Sequence, residues 1–131
     1  MTKGKRHVKN CQKAPYTCEL LGSMPEISTA AIGDVKFSLM LPGTIVRPHT
    51  GPTNKRIRVH LGLDVPPGCC EITVGGEARA WADGELLIFD DSFEHSVANT
   101  GTGERLILIA DVLHPQLQGT PGKHYAPQGS K

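Results

Sequence analysis

The sequence predicts an all-β domain, a sandwich or barrel of short strands. Apolar and polar residues alternate at period two in several separate stretches, which is the repeat of a strand and not of a helix. Turn formers are abundant, with 15 Gly and 10 Pro in 131 residues, while aromatics make up only 5%. That composition suits many strands joined by tight turns better than a helical bundle.

The elements follow in chain order. Residues 1–34 are mixed and polar and read as an N-terminal extension, in which "CELLGSMPEI" supports a short helical turn ending near Gly22. The β core is expected over residues 35–117. In "VKFSLML", Val35, Phe37, Leu39 and Leu41 share one face, and Lys36, Ser38 and Met40 share the other. "PGT" turns the chain. "RIRVHLGL" repeats the pattern, with Ile57, Val59, Leu61 and Leu63 opposite Arg56, Arg58 and His60. "EITVGGEARAW" reads as a hairpin with its tight turn at Gly75-Gly76. "GELLIF" and "RLILIADV" are apolar strands. Residues 118–131, rich in Gly, Pro, Gln and Lys, read as a flexible tail. No internal repeat and no interdomain linker interrupts this pattern.

Composition narrows the function. A net charge of +1 argues against nucleic acid as a partner. No apolar run approaches the roughly 18 residues of a membrane span. The start, "MTKGKRHVKN", is basic but lacks the apolar stretch of a secretory signal. Of the four cysteines, Cys11 and Cys18 flank "QKAPYT", where Pro15 favours a turn. A bridge there would contribute roughly 2–3 kcal/mol. Two free thiols fit the same spacing equally well. No CxxC is present, so neither cysteine pair resembles a zinc site.

The polar strand faces are unusual. An antiparallel sheet ordinarily turns its polar face to water. Here those faces carry Ser38 and Met40 on one strand and Arg56, Arg58 and His60 on another, a mixture suited to a lined pocket. Two histidines stand near them. His49 follows Pro48 at a strand end, and His95 follows the acidic turn "DDSFE". Taken singly, each is an ordinary loop or surface histidine. Arg105 changes the weighing, because it lies ten positions after His95 on the alternation face of Ile107, Ile109 and Asp111. A histidine followed at that distance by an inward arginine recurs in iron and 2-oxoglutarate oxygenases. The histidine holds the metal, the metal chelates the 1-carboxylate and 2-oxo group, and the arginine forks onto the distal carboxylate.

The stretches "PHTGPTNKRIRVHLGL", "GGEARAWADGELLIFDDSFEHSV" and "RLILIADVLHPQL" resemble the catalytic domain of the aspartyl/asparaginyl β-hydroxylases, from about Asn10 to Leu117. The resemblance implies a double-stranded β-helix, the jelly-roll or cupin-like fold. It implies an iron(II)- and 2-oxoglutarate-dependent dioxygenase, with O2 as second cosubstrate, that hydroxylates the β-carbon of Asp or Asn in a protein or peptide. Disulfide-rich EGF-like domains are the substrate class it suggests. By position, His49 and His95 match the family's iron ligands, and Arg105 matches the partner of the distal carboxylate. Ser38, Met40, Arg58 and His60 match residues lining the cosubstrate site, and Arg56 matches a residue facing the protein substrate.

Gly51 stands two residues after His49, where commoner oxygenases place a carboxylate ligand. The β-hydroxylases look the same here, which implies two protein ligands and a water in the third place. Asp91 is the candidate for orienting that water, while simple turn formation accounts equally for Asp90 and Asp91. Relatives of the secretory pathway carry a disulfide where Cys11 and Cys18 stand, which favours that pairing and an endoplasmic-reticulum setting. The family's catalytic domain extends upstream of the position of Met1. The fold is therefore expected to lack its N-terminal part and to leave an apolar patch or sheet edge open. The alternative reading is a truncated, non-catalytic module that binds metal or a partner. A cupin-like protein with another metal-dependent reaction fits the His95–Arg105 pair less well.

Overall fold

A computed structural model of the chain describes residues 1–117; the expected tail, 118–131, lies outside the described residues. The N-terminal segment is more helical than expected. It forms α1 (Val8–Lys13), α2 (Pro15–Gly22) and α3 (Pro25–Ser28). Pro15 and Pro25 each open a helix, where a missing N–H leaves no hydrogen bond unmade. Cys11 and Cys18 are joined across α1 and α2, with their Cα atoms 5.4 Å apart. Val35 N donates to Met1 O at 2.8 Å, so the start of the chain lies along the first strand. Among the described residues no helix is long and apolar enough to cross a membrane.

Eight strands follow: β1 (Val35–Met40), β2 (Ile45–His49), β3 (Arg56–Asp64), β4 (Cys70–Val74), β5 (Glu77–Ala80), β6 (Leu86–Phe89), β7 (His95–Asn99) and β8 (Arg105–Leu113). They form two antiparallel four-stranded sheets, ordered β1-β8-β3-β6 and β2-β7-β4-β5. The chain crosses from one sheet to the other at nearly every connection, which is the winding of a double-stranded β-helix. The β4–β5 hairpin turns at Gly75 and Gly76, with φ of 55° and 84°. A two-residue turn with both central φ angles positive is the geometry that favours glycine there.

β2 and β7 escape the period-two reading. "IVRPH" contains Pro48, which cannot donate to a ladder, and the β2–β7 register slips between Val46 and His49. "HSVAN" offers little apolar contrast. The core lies between the sheets, around Ile72, Trp81, Ile107 and Ile109, with Val74, Leu87, Phe89 and Val97 packed against it. Adjacent Cys69 and Cys70 sit in that core and are joined to each other, a pairing that spacing did not suggest. Next to the core, the inner face of the β1-β8-β3-β6 sheet holds Met40, Arg56, His60, Arg105 and Asp111, all buried. Phe37 and Leu39, on the alternate face, are more than half exposed. The polar faces therefore line the interior and the apolar faces look out.

Candidate functional site

β2 and β7 place the two histidines side by side. His49 and His95 are register partners, and their ring centroids lie 4.2 Å apart. Each ring is oriented in the same way. His49 Nδ1 lies 2.9 Å from Arg47 O, and His95 Nδ1 lies 2.8 Å from Phe93 O. A carbonyl only accepts, so both Nδ1 atoms carry the proton and both Nε2 atoms keep a lone pair. This orientation through the far nitrogen is typical of metal-ligating histidines. Among the described residues no group of three or more His, Cys, Asp or Glu could hold a metal ion.

A path of rings leads from this pair across the interior. Phe89 packs edge-on to His95 at 5.5 Å and to His60 at 5.0 Å. Trp81 Nε1 donates to His60 Nδ1 at 3.1 Å. The indole N–H can only donate, so the proton of neutral His60 sits on Nε2. That Nε2–H is buried and has no hydrogen-bond partner. Burial, reinforced by the charges of Arg58 and Arg105, holds His60 down at about 3, so the ring stays neutral. Arg105 stacks over Trp81, with Cζ 4.6 Å from the ring centroid, and donates from Nη2 to Ser38 Oγ at 2.8 Å. Its Nε–H is a second buried donor without a partner. Burial lowers Arg105 to about 10, which leaves it charged at neutral pH. The Arg105 charge and two unmatched buried donors, its own Nε–H and the His60 Nε2–H, are groups that an anion could satisfy.

The remaining polar residues form an ion-pair network beside the pair. Asp111 accepts from Arg58 Nε at 2.8 Å, from Arg58 Nη2 at 3.0 Å and from Asp34 N at 2.9 Å. Burial alone would raise the Asp111 carboxyl, but the Arg58 fork, the Asp34 N–H and the charges of Arg58 and Arg56 outweigh it and hold it low. Arg56 departs from the expectation of a substrate-facing group. Its guanidinium is buried, with Nη2 2.7 Å and Nε 3.3 Å from the Asp91 carboxylate, and Nη1 2.8 Å from Ile32 O. The reason is electrostatic: Asp91 and Asp111 are each about 1% exposed, and buried carboxylates require cations.

Asp90 and Asp91 also separate. Asp90 makes the turn, accepting from Ser92 N at 3.0 Å and from the Ser92 hydroxyl at 2.6 Å. Asp91 points inward against Gly51, whose N–H donates to Asp91 O at 2.6 Å. A Cβ at position 51 would overlap Asp91 Oδ2 and lie 2.7 Å from its Cγ. The carboxylate missing from the His49-x-Gly51 stretch thus has a neighbour, Asp91, filling that space from another loop. Of the expected site residues, Ser38, His60 and Arg105 meet at one end of the ring path, and His49 and His95 stand at the other. Met40 is buried on the strand of Ser38. Arg58 belongs to the Asp111 pair. Trp81 and Phe89 were not anticipated. A lone Trp at the end of a strand, with an N–H that needs a partner once buried, was the available signal for Trp81.

The family model for aspartyl/asparaginyl beta-hydroxylase matches residues 1–115. The human aspartyl/asparaginyl beta-hydroxylase is 50% identical over 114 residues, covering 87% of this chain and 15% of the human protein. Mouse aspartate beta-hydroxylase domain-containing protein 2 is 45% identical over 113 residues, covering 83% of this chain and 33% of the mouse protein. The chain therefore spans a third or less of the length of these relatives. Among solved structures, the cupin domain of an XRE-family transcriptional regulator from Enterobacter cloacae superposes with a TM-score of 0.53 at 16% identity, over 63% of this chain and 82% of that one. The Schizosaccharomyces pombe Cnp3 cupin domain gives 0.53 at 14% identity, over 64% and 58%. These two likenesses concern the fold alone, and they agree with the jelly-roll winding. The family match and the identity to these relatives together show that the chain belongs to the aspartyl/asparaginyl β-hydroxylase family.

Proposed function

We propose that the chain carries the metal and cosubstrate centre of an iron(II)- and 2-oxoglutarate-dependent dioxygenase that hydroxylates the β-carbon of Asp or Asn in a protein substrate. The observation that carries this reading is the pair of unmatched buried donors, His60 Nε2–H and Arg105 Nε–H, at the far end of a ring path from two identically oriented histidines. His49 and His95 would hold iron(II) through Nε2. Bound iron with 2-oxoglutarate and dioxygen supplies the oxidising power for the hydroxylation. Arg105 would fork onto the distal carboxylate, with the Ser38 hydroxyl beside it and the His60 Nε2–H donating to the same ligand. Met40, buried on the strand of Ser38, would add an apolar contact, and Phe89 and Trp81 would screen the space between the two ends from water. Asp91, fixed by Arg56, would accept from a water held beside the histidine pair.

Anaerobic titration of the chain with iron(II) and 2-oxoglutarate tests this by the visible charge-transfer band of the chelate. His49→Ala and His95→Ala should each abolish iron binding and the band. Arg105→Lys keeps the charge but loses the planar fork. It should weaken 2-oxoglutarate binding by about 1–3 kcal/mol, or roughly 5- to 150-fold, with iron affinity little changed. An unaltered 2-oxoglutarate response in Arg105→Lys would remove that residue from the site. The alternative reading is a module that binds metal or a partner without turnover. That reading predicts the band but no succinate.

A further inference from the structure

Asn99, the last residue of β7, is wholly buried, and each of its polar atoms is engaged. Its backbone joins the β1–β2 turn, accepting from Gly43 N at 2.8 Å and donating to Thr44 O at 2.9 Å. Its side-chain Nδ2 donates to Met40 O at 3.2 Å and to Gly103 O at 3.0 Å, and its Oδ1 accepts from Gly101 N at 3.1 Å. Met40 ends β1 and is the register partner of Arg105, which opens β8. Ser38, whose hydroxyl accepts from Arg105, stands just ahead of Met40 on β1, and Gly103 stands just ahead of Arg105. One amide thus ties the end of β7, in one sheet, to both strands of the other sheet that bring Ser38 and Arg105 together.

His95 opens the strand that Asn99 closes, and both side chains are buried on its inner face. That length of strand separates their Cα atoms by roughly 13 Å. β7 is therefore a ruler, with the histidine pair at one end and the origin of Arg105 fixed by Asn99 at the other. Given the iron and 2-oxoglutarate reading on which this inference rests, we propose that Asn99 is a positioning residue that sets the length of the 2-oxo diacid held between the histidine pair and Arg105. With the tie in place, Arg105 is held by its strand end, by Ser38 and by its stacking on Trp81. 2-Oxoglutarate then meets a guanidinium at a fixed distance, while the next longer homologue, 2-oxoadipate, has to push a close-packed interior aside. Without the tie, Met40 O and Gly103 O lose this donor, the end of β1 and the β7–β8 turn are no longer held to β7, and Arg105 gains travel. The shorter diacid loses a preorganised partner, and the longer one gains room.

Anaerobic titration of the iron(II)-loaded chain with 2-oxoglutarate and with 2-oxoadipate tests this. The readouts are the charge-transfer band and the fluorescence of Trp81, the chain's one tryptophan, on which Arg105 stacks. The wild type should bind 2-oxoglutarate well ahead of 2-oxoadipate. Asn99→Ala should weaken 2-oxoglutarate about 10-fold and 2-oxoadipate by less than about 3-fold, with iron(II) affinity unchanged. Asn99→Ser keeps a hydroxyl for one of the two carbonyls. It should move the ratio of affinities the same way by a smaller factor, and it serves should the alanine variant not fold. Leu21→Ala, which truncates a buried side chain of α2, should lower the urea midpoint and leave that ratio as in the wild type. A wild type that binds 2-oxoglutarate, with Asn99 variants that lose stability at a constant ratio, would make Asn99 merely structural and overturn the proposal alone. A wild type that binds neither diacid would overturn the 2-oxoglutarate reading itself and the proposal with it.

Discussion

Asp111→Ala should destabilise the fold by about 3–5 kcal/mol, the range for removing one partner of a buried ion pair. The carboxylate is almost wholly buried and serves three elements. It takes a two-pronged fork from Arg58 on β3, the N–H of Asp34 just before β1, and the charge of Arg56, whose Nη1 lies 3.6 Å away. Truncation leaves Arg58 with only the longer ion pair to Asp91, at 3.9 Å, and makes Arg56 and Arg58 share that one carboxylate. It also orphans the Asp34 N–H, loosening the point where the N-terminal segment meets β8. Urea denaturation measures this through the midpoint, with an unchanged m-value required for a like-for-like comparison. A loss below about 1 kcal/mol would mean that water reaches and screens the network. Replacing Asp111 with Leu and Arg58 with Met together should recover much of the loss, because the penalty lies in the unpaired charge and not in the missing bond.

This network also marks how far the sequence can be read. Period two identifies β1, β3, the β4–β5 hairpin and β8, and it places Arg105 with Ile107, Ile109 and Asp111 correctly on one face. Alternation says which residues share a face but not which face meets water. The ordinary rule would turn Phe37 and Leu39 inward, and the mixed polar chemistry of Ser38, Arg58 and His60 is what argues for the reverse. β2 and β7 are illegible by this route because strands that line a polar cavity lose the hydrophobic contrast that periodicity needs. Pro48 breaks the ladder as well. These are the strands that carry His49 and His95, so their meeting rests on resemblance and not on pattern. Arg56 shows the converse limit. Its face was readable, but its partner Asp91 lies 35 residues away, on a loop that only the tertiary fold brings back. The Trp81–His60 bond is of the same kind.

Acid should weaken the chain through His60, by roughly 3 kcal/mol between about pH 7 and about pH 4. The unfolded chain takes up this proton below its ordinary value of 6.5, whereas the folded chain refuses it until about 3. Protons therefore favour the unfolded state across that window. The stabilisation is fully present above it and is lost as the pH falls through it. The cause is local. Protonation would turn Nδ1 from the acceptor of the Trp81 indole N–H into a second donor facing it, in a site already charged by Arg58 and Arg105. Asp111, held low by its arginines, adds to the loss at still lower pH, and the two contributions must be separated. His60→Gln does so. Its amide oxygen can still accept from the indole, but the side chain does not titrate. Urea midpoints at about pH 7 and about pH 4.5 should diverge for the wild type and lie about 2 kcal/mol closer together for His60→Gln. Trp81 is the chain's one tryptophan, so intrinsic fluorescence reads the bond directly. If the wild type and His60→Gln lose equal stability on acidification, His60 is not held neutral, and its Nε2–H is not a fixed donor for a bound anion.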